Sequence, residues 1–191
     1  MSRDAILNAA AAIFSEKGYH AASMQDIAAA VKLRKASLYH HVNSKQEILL
    51  SLLDKALDLL IAEMEAVFVQ PLPADEKLGL GVRTYLQTML DHRELASVLL
   101  LEHRSLEPDL RNRHIPRRDR FESLWRMMIS DCIQADSYTP SDASIDTKAL
   151  LGVLNWTITW YQGDGTLTPA DIADHYTDLF LHGLLVRDAA L

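Results

Sequence analysis

The sequence predicts an all-α protein of eight or nine helices. Apolar residues recur at helical spacing along nearly the whole 191-residue chain, and helix-start signals stand at Ser23, Ser44 and Thr168. Strand-like alternation, internal repeats and low-complexity tracts are missing from the sequence. A hydrophobic fraction of 49% and a charged fraction of 24% are typical of a soluble folded protein.

Three helices are predicted in the first 42 residues. Residues 3–17 carry apolar side chains along one face at helical spacing, and Gly18 ends this first helix. Ser23 caps a second helix with Asp26 at its third position, and this pattern breaks at Lys32. Residues 35–42 resume the helical pattern and give the third helix.

Longer helices follow. "SKQE", residues 44–47, is a capping box, in which each side chain bonds the other's backbone amide, and it opens a helix that runs to about Pro71. "TPAD", residues 168–171, combines an N-cap threonine, proline at the first helical position and an acid at the third. The later helices are predicted near residues 75–92, 94–104, 114–136, 146–162 and 169–187.

The second and third helices are too short to be stable alone in water, so they must pack on the first helix and on the start of the fourth. Two short helices that cross at a tight turn form a helix-turn-helix, whose second helix fits the roughly 12 Å major groove of DNA. The brevity of these helices therefore predicts a DNA-reading head.

The run "DIAAAVKLRKASLYHHVNSKQEIL", with Phe14, Gly18 and Tyr19 before it, resembles the N-terminal domain of TetR-family transcriptional repressors. The resemblance covers residues 3–53 and implies a three-helix DNA-binding domain at 1–46 and a helical ligand-binding and dimerisation domain at 47–191. This chain departs from the family at two positions: Lys32 stands where the family has glycine, and Arg34 where it often has serine. A left-handed turn at Lys32 costs on the order of 1 kcal/mol.

The predicted partner of this head is double-stranded operator DNA. Near the start of the third helix, amide groups, hydroxyls and the helix dipole favour phosphate or base contacts. Of the two adjacent histidines, one is expected to reach the groove and the other to pack. The predicted DNA-contact residues are Gln25, Lys35, Ser37, Tyr39, His40, His41 and Lys45.

Charge is distributed unevenly along the chain. Residues 1–50 hold six Lys/Arg and four Asp/Glu, whereas the remainder holds 13 and 22. The total of -7 argues against a protein that coats nucleic acid indiscriminately. A mildly basic head on an acidic body is predicted.

A homodimer on a palindromic operator is predicted, because one recognition helix reads too few base pairs. "ALLGVLNWTITWY", residues 149–161, is apolar almost all round, which predicts burial on two sides. The last helix carries an apolar face that includes Gly183 and Leu184. The resemblance implies a four-helix bundle across the two-fold axis.

The resemblance also implies a small-molecule effector pocket in the C-terminal domain. Asn155 lies inside an apolar helix, so it requires either a ligand or a backbone carbonyl as partner. The residues predicted to line the pocket are Trp125, Met128, Asn155, Trp156 and Trp160, although the tryptophans could equally be core.

Five arginines in residues 111–120, among them Arg117 and Arg118, indicate either a solvated surface or an anion site at a helix N-terminus. An acyl-CoA would place its phosphates on the arginine cluster and its apolar tail in the predicted pocket. Independently, the C-terminal stretch resembles CoA-responsive TetR-type regulators. The alternative is an efflux-type regulator that senses an uncharged or cationic apolar ligand.

No catalytic residue, metal site or cofactor is predicted. His92, His103 and His114 recur every 11 residues, but Pro108 interrupts any common helix. A ligand-independent DNA-binding protein whose body only dimerises is the remaining alternative. The single cysteine, the lack of a membrane-length apolar run and an N-terminus without a signal-peptide core predict a cytoplasmic protein with no membrane partner.

Overall fold

The computed structural model of the chain describes residues 2–135 and 141–183. These residues contain no strand and form nine α-helices with one 3₁₀ turn, at His103–Ser105. The helices are α1 (Arg3–Lys17), α2 (Met24–Ala30), α3 (Lys35–Leu38), α4 (Lys45–Phe68), α5 (Ala74–Asp91), α6 (Arg93–Glu102), α7 (Pro108–Gln134), α8 (Ala143–Trp160) and α9 (Pro169–His182). The predicted all-α class is confirmed.

The chain divides into two compact units, which we call unit 1 (residues 2–60 and 91–121) and unit 2 (residues 61–90 and 122–183 of the described chain). Unit 1 is larger than the predicted head at 1–46, because α6 packs on α1. This structural division follows packing, and the functional boundary at 46/47 stays a prediction.

The first two helices begin and end as predicted. The Ser2 hydroxyl caps α1 by accepting from the Ala5 amide at 3.2 Å, and Gly18 ends it with φ 79° while its amide donates to Phe14 O at 2.9 Å. Ser23 and Asp26 form the predicted capping box at the start of α2.

Helix α3 is shorter than predicted, ending at Leu38 instead of residue 42. The His40 and His41 amides bond carbonyls three residues back, Ser37 O at 3.3 Å and Leu38 O at 2.9 Å, so the chain tightens into a turn. Arg34 at the N-cap forms no side-chain capping bond. The four-residue helix is held by the fully buried Leu38.

Several other boundaries differ from the prediction. Helix α7 begins at Pro108 rather than residue 114, because proline suits the first helical position. Helix α8 begins at Ala143, since Asp142 accepts from the Ser144 amide at 2.8 Å. Helix α9 starts at Pro169 as predicted and ends at His182; the predicted extension over 184–187, including Leu184, lies outside the described residues.

The core of unit 1 is built from apolar faces of α1, α2, α3, α4 and α6. Its fully buried members include Ile6, Phe14, Ile27, Leu38, Leu49, Leu53 and Val98. The Phe14 and Tyr19 rings meet edge to face, with centroids 5.3 Å apart. The two short helices of the head therefore share one core with the longer helices, and this burial supplies the stability that the short helices lack.

The turn between α2 and α3 contains a backbone conformation that disfavours its side chain. Lys32 has φ 56°, and it is the one non-glycine residue with positive φ in the described chain. Its amide donates to Ala29 O at 3.0 Å, and the Leu33 amide donates to Ala28 O at 2.8 Å. The predicted left-handed turn at Lys32 is therefore present.

Replacing Lys32 by glycine is expected to raise the free energy of unfolding by about 1 kcal/mol, because glycine adopts positive φ without a Cβ clash. Urea unfolding followed by circular dichroism measures the change. The matched control is Lys32→Ala, which removes the side chain but keeps the Cβ and should bring no such gain. Equal stabilities of the glycine and alanine variants would contradict this explanation.

Candidate DNA-binding surface and ligand site

Unit 1 presents most of the predicted DNA-contact residues on its surface. Gln25 on α2 and Lys35 on α3 are exposed, Ser37 is half-buried, and Tyr39 is 46% exposed. The buried side chains of Ile27 and Leu38 fix the backbone that carries these exposed residues. Polar groups thus project from a short element that the core holds in place, which is the arrangement that a groove-reading helix requires.

His40 and His41 are both exposed. The expectation that one of them packs is wrong, because the chain leaves the helical path after Leu38 and the buried position is taken by Val42 instead. Both imidazoles are available to solvent or to a groove.

Lys45 forms hydrogen bonds with backbone carbonyls of the loop between α1 and α2. Its Nζ donates to Tyr19 O at 2.8 Å and to Ala22 O at 2.7 Å, and lies 4.2 Å from the centroid of the Tyr19 ring. Burial lowers the pKa of the Lys45 ammonium, and the Glu102 carboxylate opposes that shift. Lys45 therefore connects the start of α4 to the loop between α1 and α2. Two of its three N–H groups make these bonds, and the third can donate to a phosphate.

The same loop is held from the other side by α6, an interaction that sequence patterns did not reveal. Glu102 Oε1 accepts from the Tyr19 amide at 3.1 Å. Gln46 donates to Ser105 O at 2.9 Å and accepts from the Glu107 amide at 3.1 Å. Hydrogen bonds to backbone groups thus connect the head to α4 and to the segment between α6 and α7.

Helix α7 begins at Pro108, so Arg117 and Arg118 lie well inside it and not at its N-terminus, where the dipole was predicted to contribute. Arg117 Nε donates to Asp58 Oδ1 at 2.8 Å and its Nη1 to Asp54 Oδ2 at 3.0 Å. Arg118 pairs with Asp119 at 3.4 Å. Together with Arg113, which pairs with Glu47, three of the five arginines are therefore paired with the protein's own carboxylates.

His114 is a buried polar residue of unit 1 whose partner the sequence did not indicate. Its Nδ1 lies 2.9 Å from Asp54 Oδ1, beside the Arg117 bond to the other oxygen of the same carboxylate. Asp54 thus joins α4 to α7 through two side chains, which gives the cluster a structural role.

In unit 2 the structure brings Trp125, Met128 and Asn155 together around α5. The Tyr85 hydroxyl donates to Asn155 Oδ1 at 2.5 Å, and the Tyr85 ring meets Trp125 edge to face, with centroids 5.6 Å apart. A Cβ at Gly81 would lie 3.4 Å from Met128 Sδ. Burial raises the pKa of the Tyr85 hydroxyl above its usual range.

Asn155 therefore has a side-chain partner, and not the backbone carbonyl that was the alternative. Its Nδ2 group donates no hydrogen bond within the described residues, so the amide keeps two donors. Tyr85 was missed because nothing in a single helix pattern tells which distant residue meets an internal asparagine.

Trp156 and Trp160 do not occupy the interior position predicted for them. Trp156 is 66% exposed and Trp160 41% exposed, because both lie on the outer face of α8. This face continues through Gly152 and Ala149 to Ile145, which is 63% exposed. An exposed apolar stripe of this length on one helix indicates an interaction surface.

Cys132 is buried in unit 2, and burial raises the pKa of its thiol to about 11, with Asp75 and Asp131 adding to the effect. No three His, Cys, Asp or Glu side chains of the described residues are grouped as metal ligands would be. Within residues 2–135 and 141–183, no helix is both long and apolar enough to cross a bilayer.

Comparisons with known proteins agree with this geometry. Residues 6–52 match the bacterial regulatory proteins, tetR family, and residues 71–184 match the tetracyclin repressor-like C-terminal domain. The HTH-type transcriptional repressor KstR2 of Mycobacterium tuberculosis is 27% identical over 186 residues, which cover 95% of this chain and 92% of KstR2.

Two solved structures are also similar. The TetR family regulator PfmR from Thermus thermophilus is 35% identical with a TM-score of 0.87, over 95% of this chain and 99% of PfmR. AibR, solved in complex with isovaleryl coenzyme A and operator DNA, is 27% identical with a TM-score of 0.86, over 94% of this chain and 97% of AibR.

The all-helical fold, the exposed recognition segment and these matches define the class of protein: a DNA-binding transcriptional repressor, not an enzyme. The chain belongs to the TetR family. The resemblance seen in residues 3–53 is confirmed.

Lys45→Met is expected to lower the free energy of unfolding by about 1 to 2 kcal/mol, because two carbonyls lose a charged donor. Lys35→Met removes an exposed ammonium of the same unit and should change stability by less than about 0.5 kcal/mol. Chemical unfolding of both variants gives the comparison. If the two losses were equal, the hydrogen bonds of Lys45 would contribute nothing to the stability of the head.

Proposed function

We propose that this protein represses transcription as a homodimer on a palindromic operator and releases that operator when a small molecule binds unit 2. The exposed segment around α3 carries the DNA-binding part of the proposal, because its polar side chains project from a backbone that buried Leu38 fixes. Such a repressor works where the operator is, in the bacterial cytoplasm.

The apolar face of α8 supports dimerisation. Burying Trp156 alone removes a large aromatic surface from water, and aromatic anchors dominate the energetics of interfaces. Two copies of the chain related by a two-fold axis would place two heads on two half-sites, and this matches a palindrome.

Trp156→Glu is expected to shift the protein to monomers and to abolish operator binding, since the substitution puts a charge into the apolar stripe. The matched control is Leu101→Glu, which charges a 62% exposed leucine on α6 of unit 1 and should leave a dimer. Sedimentation analysis reports the oligomeric state. If the Trp156→Glu variant remained a dimer, the assignment of α8 to the dimer interface would be wrong.

For the effector we propose a coenzyme A thioester of a fatty or related carboxylic acid. AibR is a similar protein that binds isovaleryl coenzyme A, and this supports the class of ligand. In unit 2 the free donors of Asn155 beside the Tyr85 hydroxyl could bind the thioester carbonyl, and Trp125 and Met128 supply apolar contacts.

The arginine cluster gives less support to a phosphate-bearing effector. A phosphate that bound Arg117 would compete with Asp54 and Asp58, and Arg118 already has Asp119 nearby. This observation favours the second candidate, an uncharged or cationic apolar effector that needs only the residues around Tyr85.

The proposed switch couples effector and operator through α4, whose residues 45–60 belong to unit 1 and 61–68 to unit 2. A change in α4 would alter the spacing of the two recognition segments in the dimer. Such a switch typically requires a coupling free energy of about 1 to 3 kcal/mol, or roughly 5- to 150-fold in affinity. The coupling is reciprocal, so bound operator must weaken effector binding equally.

To identify the effector, an operator is first selected from a random duplex library. Candidate compounds are then titrated into the complex of the protein with this operator, and release of the DNA is measured. The competitors are isovaleryl and longer acyl coenzyme A thioesters, free coenzyme A, the free acids and a quaternary ammonium dye. Release by thioesters alone supports the proposal. Release by the dye or an uncharged compound, with no thioester binding in calorimetry, would favour the second candidate.

Tyr85→Phe is expected to weaken the effector response roughly tenfold, because one hydrogen bond at Asn155 is lost. Tyr176→Phe is the matched control, since it removes a half-buried hydroxyl of unit 2 that bonds Thr157 at 3.3 Å. Operator release against effector concentration measures both. Equal effects of the two variants would exclude Tyr85 from the effector site.

A further inference from the structure

Three cations project from the turn before α3 and from its first residue without any partner. Lys32, Arg34 and Lys35 are exposed, and none of them forms a side-chain hydrogen bond or ion pair within the described residues. The arginines of α7 differ in this respect, because Arg113 and Arg117 pair with carboxylates of α4. Carboxylates thus pair with several arginines of the other cationic cluster, whereas none of the described carboxylates pairs with these three cations.

The local backbone does not favour a cation at either Lys32 or Arg34. Lys32 has φ 56°, a conformation in which glycine is preferred. Arg34 occupies the N-cap of α3, with φ -75° and ψ 146°, and provides no capping bond where serine or aspartate would. Two residues that cost local stability, close together in one turn and both basic, indicate a function for the charge.

The charge is also concentrated at this place in the sequence. Residues 27–46 contain four of the 19 Lys/Arg and none of the 26 Asp/Glu. Although the chain as a whole carries -7, this run of residues with four cations and no carboxylate attracts a polyanion locally.

Core residues alternate with the cations and fix their positions. Val31 and Leu38 are buried and Leu33 is half-buried, so that the residues between them, Lys32 and Arg34, point outward. A backbone held in this way loses little entropy when its cations bind, which increases their contribution to affinity.

We propose that Lys32 and Arg34 each bind a backbone phosphate of the operator, beside the contacts of Lys35. This inference rests on the proposed operator binding and extends it to two residues outside the predicted set. Phosphate contacts contribute to affinity and to its salt dependence without reading sequence. The turn thus sets how strongly the dimer holds DNA, while the exposed residues of α3 and the following turn set which DNA it holds.

The test uses Lys32→Gly and Arg34→Ser, which replace each cation with a residue that the local backbone prefers. Fluorescence anisotropy measures the affinity of the full-length dimer for a selected operator at salt concentrations from about 50 to about 200 mM. A dimer loses two phosphate contacts per substitution, so the slope of log affinity against log salt should become less negative by about 1.8. From the lowest to the highest salt concentration, the ratio of wild-type affinity to variant affinity should fall by about tenfold.

Three controls separate phosphate binding from other effects. Arg126→Gln removes an exposed, unpaired charge of unit 2 and should leave the slope unchanged. Thermal unfolding of both test variants should show midpoints at or above that of wild type, which excludes loss of folding. Lys32→Gln and Arg34→Gln remove the charge alone. Their salt slopes should match those of Lys32→Gly and Arg34→Ser.

Wild-type slopes in Lys32→Gly and Arg34→Ser would overturn the inference while leaving operator binding intact. An altered base preference in a repeated selection would also overturn it, because it would assign these residues to base contacts. If the wild-type protein selected no operator, the proposed function and this inference would fail together.

Discussion

Burial of Leu38 is the constraint on which the DNA-binding surface depends. Helix α3 has one turn, and such a helix has no stability of its own in water. Leu38 is fully buried in the core of unit 1, which it shares with Ile27, Phe14 and Leu49. The recognition segment is thus a product of tertiary packing, and its exposed side chains are as well positioned as the core beneath them.

A second set of interactions fixes the loop between α1 and α2. Lys45 holds the carbonyls of the loop between α1 and α2, and Glu102 of α6 holds an amide of the same loop. Because one loop is bound by two helices, a displacement of either helix changes the strain on the loop. This loop of the DNA-binding head is therefore connected directly to both α4 and α6.

Patterns within one helix made reliable predictions possible, whereas contacts between helices could not be predicted. Local capping chemistry marked the start of α2 at Ser23 and of α9 at Thr168, since these bonds join residues three positions apart. The end of α3 was missed because its length depends on packing. The Asp54 bonds to His114 and Arg117, and the Tyr85 bond to Asn155, join residues about 60 or more positions apart, and no single-sequence period indicates them.

Gly81 marks a place in unit 2 where one more carbon atom would meet only side chains. A methyl group at this position would touch the thioether of Met128 and the edge of Trp125 at ordinary contact distances, and these nearest neighbours are all side-chain atoms. Methionine adapts its shape more readily than other large apolar residues. In the proposed effector site, a Gly81→Ala substitution would therefore add one carbon beside Met128 and Trp125 without displacing backbone, so a single change there would favour smaller ligands while the DNA-reading head stays as it is.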